Sequence, residues 1–138
     1  MIRTIIAATA ALMLGTVPTV ATAAGCSGAH PVISTVVVSS VDAAGKMNNY
    51  HMTGTVTNAG SSSQGSSVLQ SVDIVMGTEK LDTKSIAPLA AGQSATFTYT
   101  MVRAADAGKG TTTLKFSLDP SPGSDPCGGA SDTFALSF

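Results

Sequence analysis

The chain has no tryptophan, two tyrosines and four phenylalanines, so aromatics make up 4% of its 138 residues. Outer-membrane barrels need aromatic girdles and at least eight strands of about ten residues. The closing alternation Phe134, Leu136, Phe138 therefore reads as the last strand of a packed domain. Charge is scarce as well, at 11% of residues with a formal net charge of −1. The bases Lys46, Lys80, Lys84, Arg103, Lys109 and Lys115 form no stripe. Such a chain lacks the field that draws nucleic acid. At 43% hydrophobic residues it is nevertheless too apolar to stay disordered.

Catalytic equipment is missing too. His30 and His51 are the only histidines. No G-x-S-x-G elbow, H-E-x-x-H helix or glycine-rich phosphate loop occurs. No spacing pairs two titratable groups for acid–base work. The chain therefore reads as a non-enzyme with no cofactor.

Two metal readings find little support in the spacing of their ligands. Met47, His51 and Met52 lie close in sequence, and thioether and imidazole both suit copper. Adjacent strand residues point to opposite faces, however, which separates His51 from Met52. Met52, Met76 and Met101 fit a buried set, where methionine fills gaps. Asp119, Asp125 and Asp132 offer oxygens for calcium but lack the spaced D-x-D-x-D-G pattern.

What the chain does have begins with an export signal. Arg3 is the only charge before Asp42, and an apolar run follows at residues 5–17. That run is shorter than the ~20 residues of a spanning helix. Pro18 and the small residues Ala21-Thr22-Ala23 complete a secretory signal peptide. Cleavage is expected after Ala23, leaving residues 24–138 as one domain in the periplasm or outside the cell, with no membrane span.

Cys26 and Cys127 are the only cysteines. Export favours a disulfide between them, closing almost the whole domain. Two other readings stand. Thr22-Ala23-Ala24-Gly25-Cys26 loosely resembles a lipobox, which would anchor Cys26 through lipid and leave Cys127 free. A redox or metal role would need a nearby CxxC partner or histidine, and neither is present.

Periodicity through the domain is two, not 3.6. Residues 32–41 form a β-branched run, the first predicted strand, and residues 42–45 a turn. Tyr50, Met52, Gly54 and Val56 alternate with His51, Thr53, Thr55 and Thr57 in the second, with the threonine face wet. A Ser/Gly loop fills residues 61–67. Residues 68–76 make the third strand, with Val72, Ile74 and Met76 inward. After Gly77-Thr78, residues 80–86 read as an edge strand with Lys80 and Lys84 on one face.

Ala95, Phe97, Tyr99 and Met101 alternate with Ser94, Thr96, Thr98 and Thr100 in the fifth strand. A loop at residues 104–110 precedes the sixth, marked by Leu114, Phe116 and Leu118. A Pro/Gly-rich loop at residues 119–129 carries Cys127, and Phe134, Leu136 and Phe138 mark the seventh. Seven short strands point to an all-β, Ig-like antiparallel β-sandwich. Its expected core is Val36, Val38, Tyr50, Met52, Val56, Val72, Ile74, Phe97, Tyr99, Leu114, Phe116, Phe134 and Leu136.

Three segments are familiar in their order. Thr53-Gly54-Thr55-Val56-Thr57-Asn58-Ala59-Gly60 is a Thr/Val strand ending in Asn-x-Gly. Ile86-Ala87-Pro88-Leu89-Ala90-Ala91-Gly92-Gln93 is a Leu-Ala-x-Gly turn. Ser94-Ala95-Thr96-Phe97-Thr98-Tyr99-Thr100 is the strand that follows. Together they resemble the CARDB-type domain, a bacterial Ig-like module often called cell-adhesion-related. The resemblance covers residues 32–138 and implies an extracytoplasmic scaffold without catalytic chemistry. Relatives often carry an acidic, Asn-rich stretch before the last strand; here Asp119 to Gly129 is rich in proline and glycine instead.

If the strands run alternately up and down, one pole gathers the start of the first strand and three loops. These are the loops at residues 61–67 and 87–92 and the one carrying Cys127. Ig-like domains commonly bind through loops clustered at one end. Gln64, Ser66, Ser67, Leu89, Asp119 and Asp125 are the candidate contact residues for a protein or glycan ligand. The expectation is an exported, non-enzymatic binding or adhesion module of the cell envelope. The alternatives are a structural component assembling by β-strand addition, or a metal-binding periplasmic protein.

Overall fold

The computed structural model describes residues 27–120, 127 and 133–138. Seven strands lie among them: β1 (Pro31–Ala44), β2 (Met47–Asn58), β3 (Gln70–Met76), β4 (Glu79–Ile86), β5 (Ser94–Ala104), β6 (Thr113–Pro120) and β7 (Thr133–Ser137). They form two antiparallel sheets, ordered β1-β2-β5 and β4-β3-β6-β7. The all-β sandwich expected from the alternation is the fold observed. The predicted signal segment lies outside the described residues.

Two tight hairpins set the register. β1 and β2 join through Gly45-Lys46, with Ala44 opposite Met47, and β3 and β4 through Gly77-Thr78, with Met76 opposite Glu79. Gly45 and Gly77 have φ of 64° and 61°, and every described residue with positive φ is glycine. Glycine at the first central position of a two-residue loop suits a II′ turn, whose twist matches the flanking strands. The first turn therefore falls at Gly45-Lys46, and Asp42, Ala43 and Ala44 continue β1 rather than forming the turn themselves. At the other end of the sheet, Val68 and Leu69 precede β3 instead of opening it.

The core lies between the sheets. Val36, Met52, Val56, Val72, Ile74, Phe97, Leu114 and Phe116 are buried as expected, and Val38, Tyr50, Tyr99, Phe134 and Leu136 pack half-buried against them. Each fully buried side chain of this size contributes roughly 1.5–3 kcal/mol. Ile33, Ile86, Leu89 and Leu118 join the core beyond the expected set. Met76 was expected inside but is 37% exposed, because it is the last residue of β3, beyond the reach of the opposite sheet.

Lys80 and Lys84 do not share a face. Lys80 pairs with Val75 and Lys84 with Val72, and an irregularity at Leu81 shifts the register between them. One extra residue flips every later side chain. Lys80 consequently reaches Asp73 on the outer face at 2.7 Å, and Lys84 pairs with Asp82 at 2.8 Å on the other. Those lysine hydrogen bonds, seconded by Thr83, hold both carboxyls below the usual aspartate range. Burial pushes the Tyr99 phenol up, with the nearby Asp82 charge adding to it.

One end of the sandwich is closed by Arg103. Its side chain is 7% exposed and lies over the rings of Tyr50 and Phe138, at 5.9 and 5.6 Å from their centroids. It donates to the Thr112 hydroxyl at 2.9 Å, the Thr111 hydroxyl at 2.7 Å and the Gly108 carbonyl. The guanidinium thus ties the β5–β6 loop over the aromatic end of the core.

Candidate functional site

The other end is a pole of loops, and Asn58 is its hub. Asn58 ends β2 and is 0% exposed. Its amide nitrogen donates to the carbonyls of Ser62 at 2.8 Å and Leu89 at 3.1 Å. Its Oδ1 accepts from the backbone N–H groups of His30 at 2.9 Å and Gly60 at 3.0 Å. One side chain therefore satisfies four backbone groups, drawn from the approach to β1, the β2–β3 loop and the β4–β5 loop. A buried amide with all four bonds made rigidifies what it joins.

Gly60 completes the junction. A Cβ there would overlap the Gly28 carbonyl and crowd the His30 nitrogen to 2.6 Å. Ser61 N–H donates to the Gly28 carbonyl, and the Ser62 hydroxyl to the Ser27 carbonyl at 2.6 Å. Gly92, at φ 73°, donates its N–H to the Asn58 carbonyl, and Asn58 N–H donates to the Gln93 carbonyl. The Asn-x-Gly and Leu-Ala-x-Gly segments are thus the two halves of one joint.

A second amide pair lies beside it. Gln64 Nε2 donates to Gln70 Oε1 at 3.0 Å, and Gln70 Nε2 returns to Gln64 Oε1 at 2.9 Å. Leu89 N–H also donates to Gln64 Oε1, and Gln70 Nε2 to the Ala87 carbonyl. Leu89 is 2% exposed and plugs the core end. Gln64 and Leu89, proposed from sequence as contact residues, are therefore buried fixtures. A hydrogen-bonded amide and an apolar plug turn inward because solvent would lose both arrangements.

Ser66, Ser67 and Asp119 are exposed at this pole. Asp125 lies outside the described residues. Ser66 and Asp119 line an open groove of about 940 Å³, with Val68, Ser71, Ser85 and Pro88 among its walls. Register explains the grouping. Ser71 of β3 pairs with Ser85 on one side and Asp119 on the other, a polar row on the outer face of the four-stranded sheet. Ser71 and Ser85 escaped the sequence reading, although alternation places both opposite the core; only the pairing register brings them beside Asp119.

Elsewhere, His51 stands on the outer face of the three-stranded sheet and Met52 in the core, so the strand separates them. His51 Nε2 meets Asp42 Oδ2 at 2.8 Å, and its Nδ1 meets the Thr100 hydroxyl at 2.9 Å. Among the described residues, no three of His, Cys, Asp and Glu gather at metal-binding distance. No helix among them is long and apolar enough to cross a membrane. Cys127 is half-buried, and no cysteine among the described residues is a free thiol. Cys26 lies outside the described residues.

The two antiparallel sheets and their loop-bearing pole define an Ig-like β-sandwich domain, in a family of non-catalytic Ig-like domains. The chain belongs to the CARDB family, whose profile matches residues 32–122, about two thirds of its length. That span contains Asn58, Gly60, Ser62 and Leu89 of the joint, begins just after its His30, and ends before β7. A comparison with curated proteins finds no match.

Proposed function

We propose that this chain is an exported, non-enzymatic binding or adhesion module of the cell envelope. It engages a protein or glycan through the loop pole around Ser66, Ser67 and Asp119. The observation that carries this reading is the Asn58 joint. It fixes three segments against one another and leaves Ser66, Ser67 and Asp119 exposed beside a groove. Loops held by a rigid scaffold lose little entropy on binding.

Export is supported by the signal-like residues 1–23, and a Cys26–Cys127 disulfide would close the pole. Ser27 and Gly28, next in sequence to Cys26, are held at this pole by Ser62 and Ser61. The exported location, the disulfide and the ligand class all belong to this proposal.

Photo-crosslinking in intact cells tests it. A photoreactive residue is placed at Ser66 or Asp119, and at Thr113 at the opposite end as a control. Discrete adducts from Ser66 and Asp119, and none from Thr113, are expected. No adduct from the pole, or equal labelling from Thr113, would remove the proposal.

A further inference from the structure

A sandwich has four sheet edges, and three of these are obstructed in different ways. β1 contains Pro31 and two register irregularities, at Ile33/Thr35 and Val38/Ser40. β4 carries Glu79, Lys80, Asp82 and Lys84 and the irregularity opposite Ile74/Val75. β7 is only 5 residues long. Proline, bulges, charge and shortness are the devices that keep edge strands from pairing with other chains.

β5 has none of them. It is 11 residues long, contains no proline and pairs with β2 without a break from Ala104 to Ser94. Its one charge, Arg103, is turned into the core. β5 hydrogen-bonds to β2 alone within its sheet, so alternate backbone N–H and C=O groups of β5 face outward along its whole length. Among the described residues, the one other backbone bond to that edge is from Ala107 N–H to the Ala104 carbonyl at the strand's last residue, which leaves the groups from Ser94 to Val102 open.

We infer that β5 is a self-association edge, and that its occupant is β5 of a second copy of this chain. An antiparallel β5–β5 pair about a two-fold axis would join the two three-stranded sheets into one of six strands. Three features favour a second copy. A strand with no outward charge meets itself without like-charge repulsion. Antiparallel pairing of a strand with itself keeps faces in step, so Thr96, Thr98 and Thr100 would meet threonines on the outer face, and Phe97 and Tyr99 would stay inward. Finally, the chain already uses that seam: Thr53 opposes Thr98 and Thr55 opposes Thr96 between β2 and β5. The β5–β5 seam repeats this pairing across a symmetry axis, as an isologous interface requires. This contact surface is separate from the loop pole.

Sedimentation of the purified protein over a concentration series tests the inference, with Thr98→Lys on β5 and Thr133→Lys on the β7 edge. Thr98 is exposed on the outer face, so lysine there leaves the fold intact. The wild type and Thr133→Lys are expected to dimerise reversibly, and Thr98→Lys to weaken the dimer at least ~10-fold by opposing lysines across the seam. Amide exchange of the wild type provides the readout that needs no variant: protection along residues 94–104 rises with concentration. A monomer up to about 1 mM, a dimer indifferent to Thr98→Lys, or unchanged exchange in β5 would overturn the assignment.

Discussion

Asn58 and Leu89, 31 residues apart, are joined inside the pole by a 3.1 Å bond from the asparagine amide to the leucine carbonyl. Asn58→Ala removes that bond and three others; the Leu89 carbonyl keeps its bond from Gln64 N–H, while the part-buried Gly60 N–H and Ser62 carbonyl lose their asparagine partner. Each such group costs about 1–3 kcal/mol, so chemical denaturation should show a loss of roughly 2–4 kcal/mol. Asn58→Asp should be no better, since it offers a carboxylate to the Leu89 and Ser62 carbonyls. Retention of wild-type stability in either variant would show that the joint is not the pole's anchor.

Gly54 and Phe97 face each other across β2 and β5. A Cβ at Gly54 would fall inside the Phe97 ring. Gly54→Ala should therefore cost about 1–3 kcal/mol by overpacking. Phe97→Leu in the same chain should recover part of that loss, so the two changes are non-additive in a double-mutant cycle. Strict additivity would mean that the ring is not what excludes the side chain.

Arg103 serves the opposite end through a planar fork and two aromatic faces. Arg103→Lys keeps the charge but loses the fork, and should destabilise by roughly 1–3 kcal/mol. Its main effect should be faster amide exchange in the 105–112 loop, with the pole around Asn58 unaffected. Equal loosening of both ends would argue against a local role.

Acid should weaken the four-stranded sheet through Asp73. Lys80 and Thr83 lower its folded pKa below that of the unfolded chain. A depressed carboxylate contributes stability above its unfolded value of about 3.9, and that contribution fades as pH falls through the folded value. Stability measured from pH 6 downward should drop less steeply below about pH 4 in Asp73→Asn than in the wild type. An identical acid limb in both would show that the Lys80 bond makes no difference. Asp82 shifts the same way but lies part-exposed on the edge strand, and its variant should change little.

The threonine–apolar alternation of β2 and β5 made the sheets legible from sequence, because a half-wet antiparallel strand must alternate. Register was not legible. The irregularity at Leu81 leaves no local signature, so Lys80 and Lys84 looked alike and proved opposite. Leu89 sits between Pro88 and Gly92, which mark a loop, and nothing local shows that this loop folds its leucine under the sandwich. Gln64, in a Ser/Gly stretch, resembled a flexible tip; its burial depends on Gln70 and on Leu89, and the second contact is long-range. Of the proposed contact residues, Ser66, Ser67 and Asp119 fall at one exposed pole because loop parity alone, which strand count does give, brings them there.

The proposed envelope role includes two untested parts, export of the chain and a Cys26–Cys127 disulfide. The intact mass of protein recovered from its native envelope, with and without reductant and thiol trapping, tests both parts at once. The predicted result is residues 24–138, with the untrapped mass rising by ~2 Da on reduction. A mass that retains residues 1–23, or one that begins at Cys26 with lipid attached and Cys127 free, would contradict it.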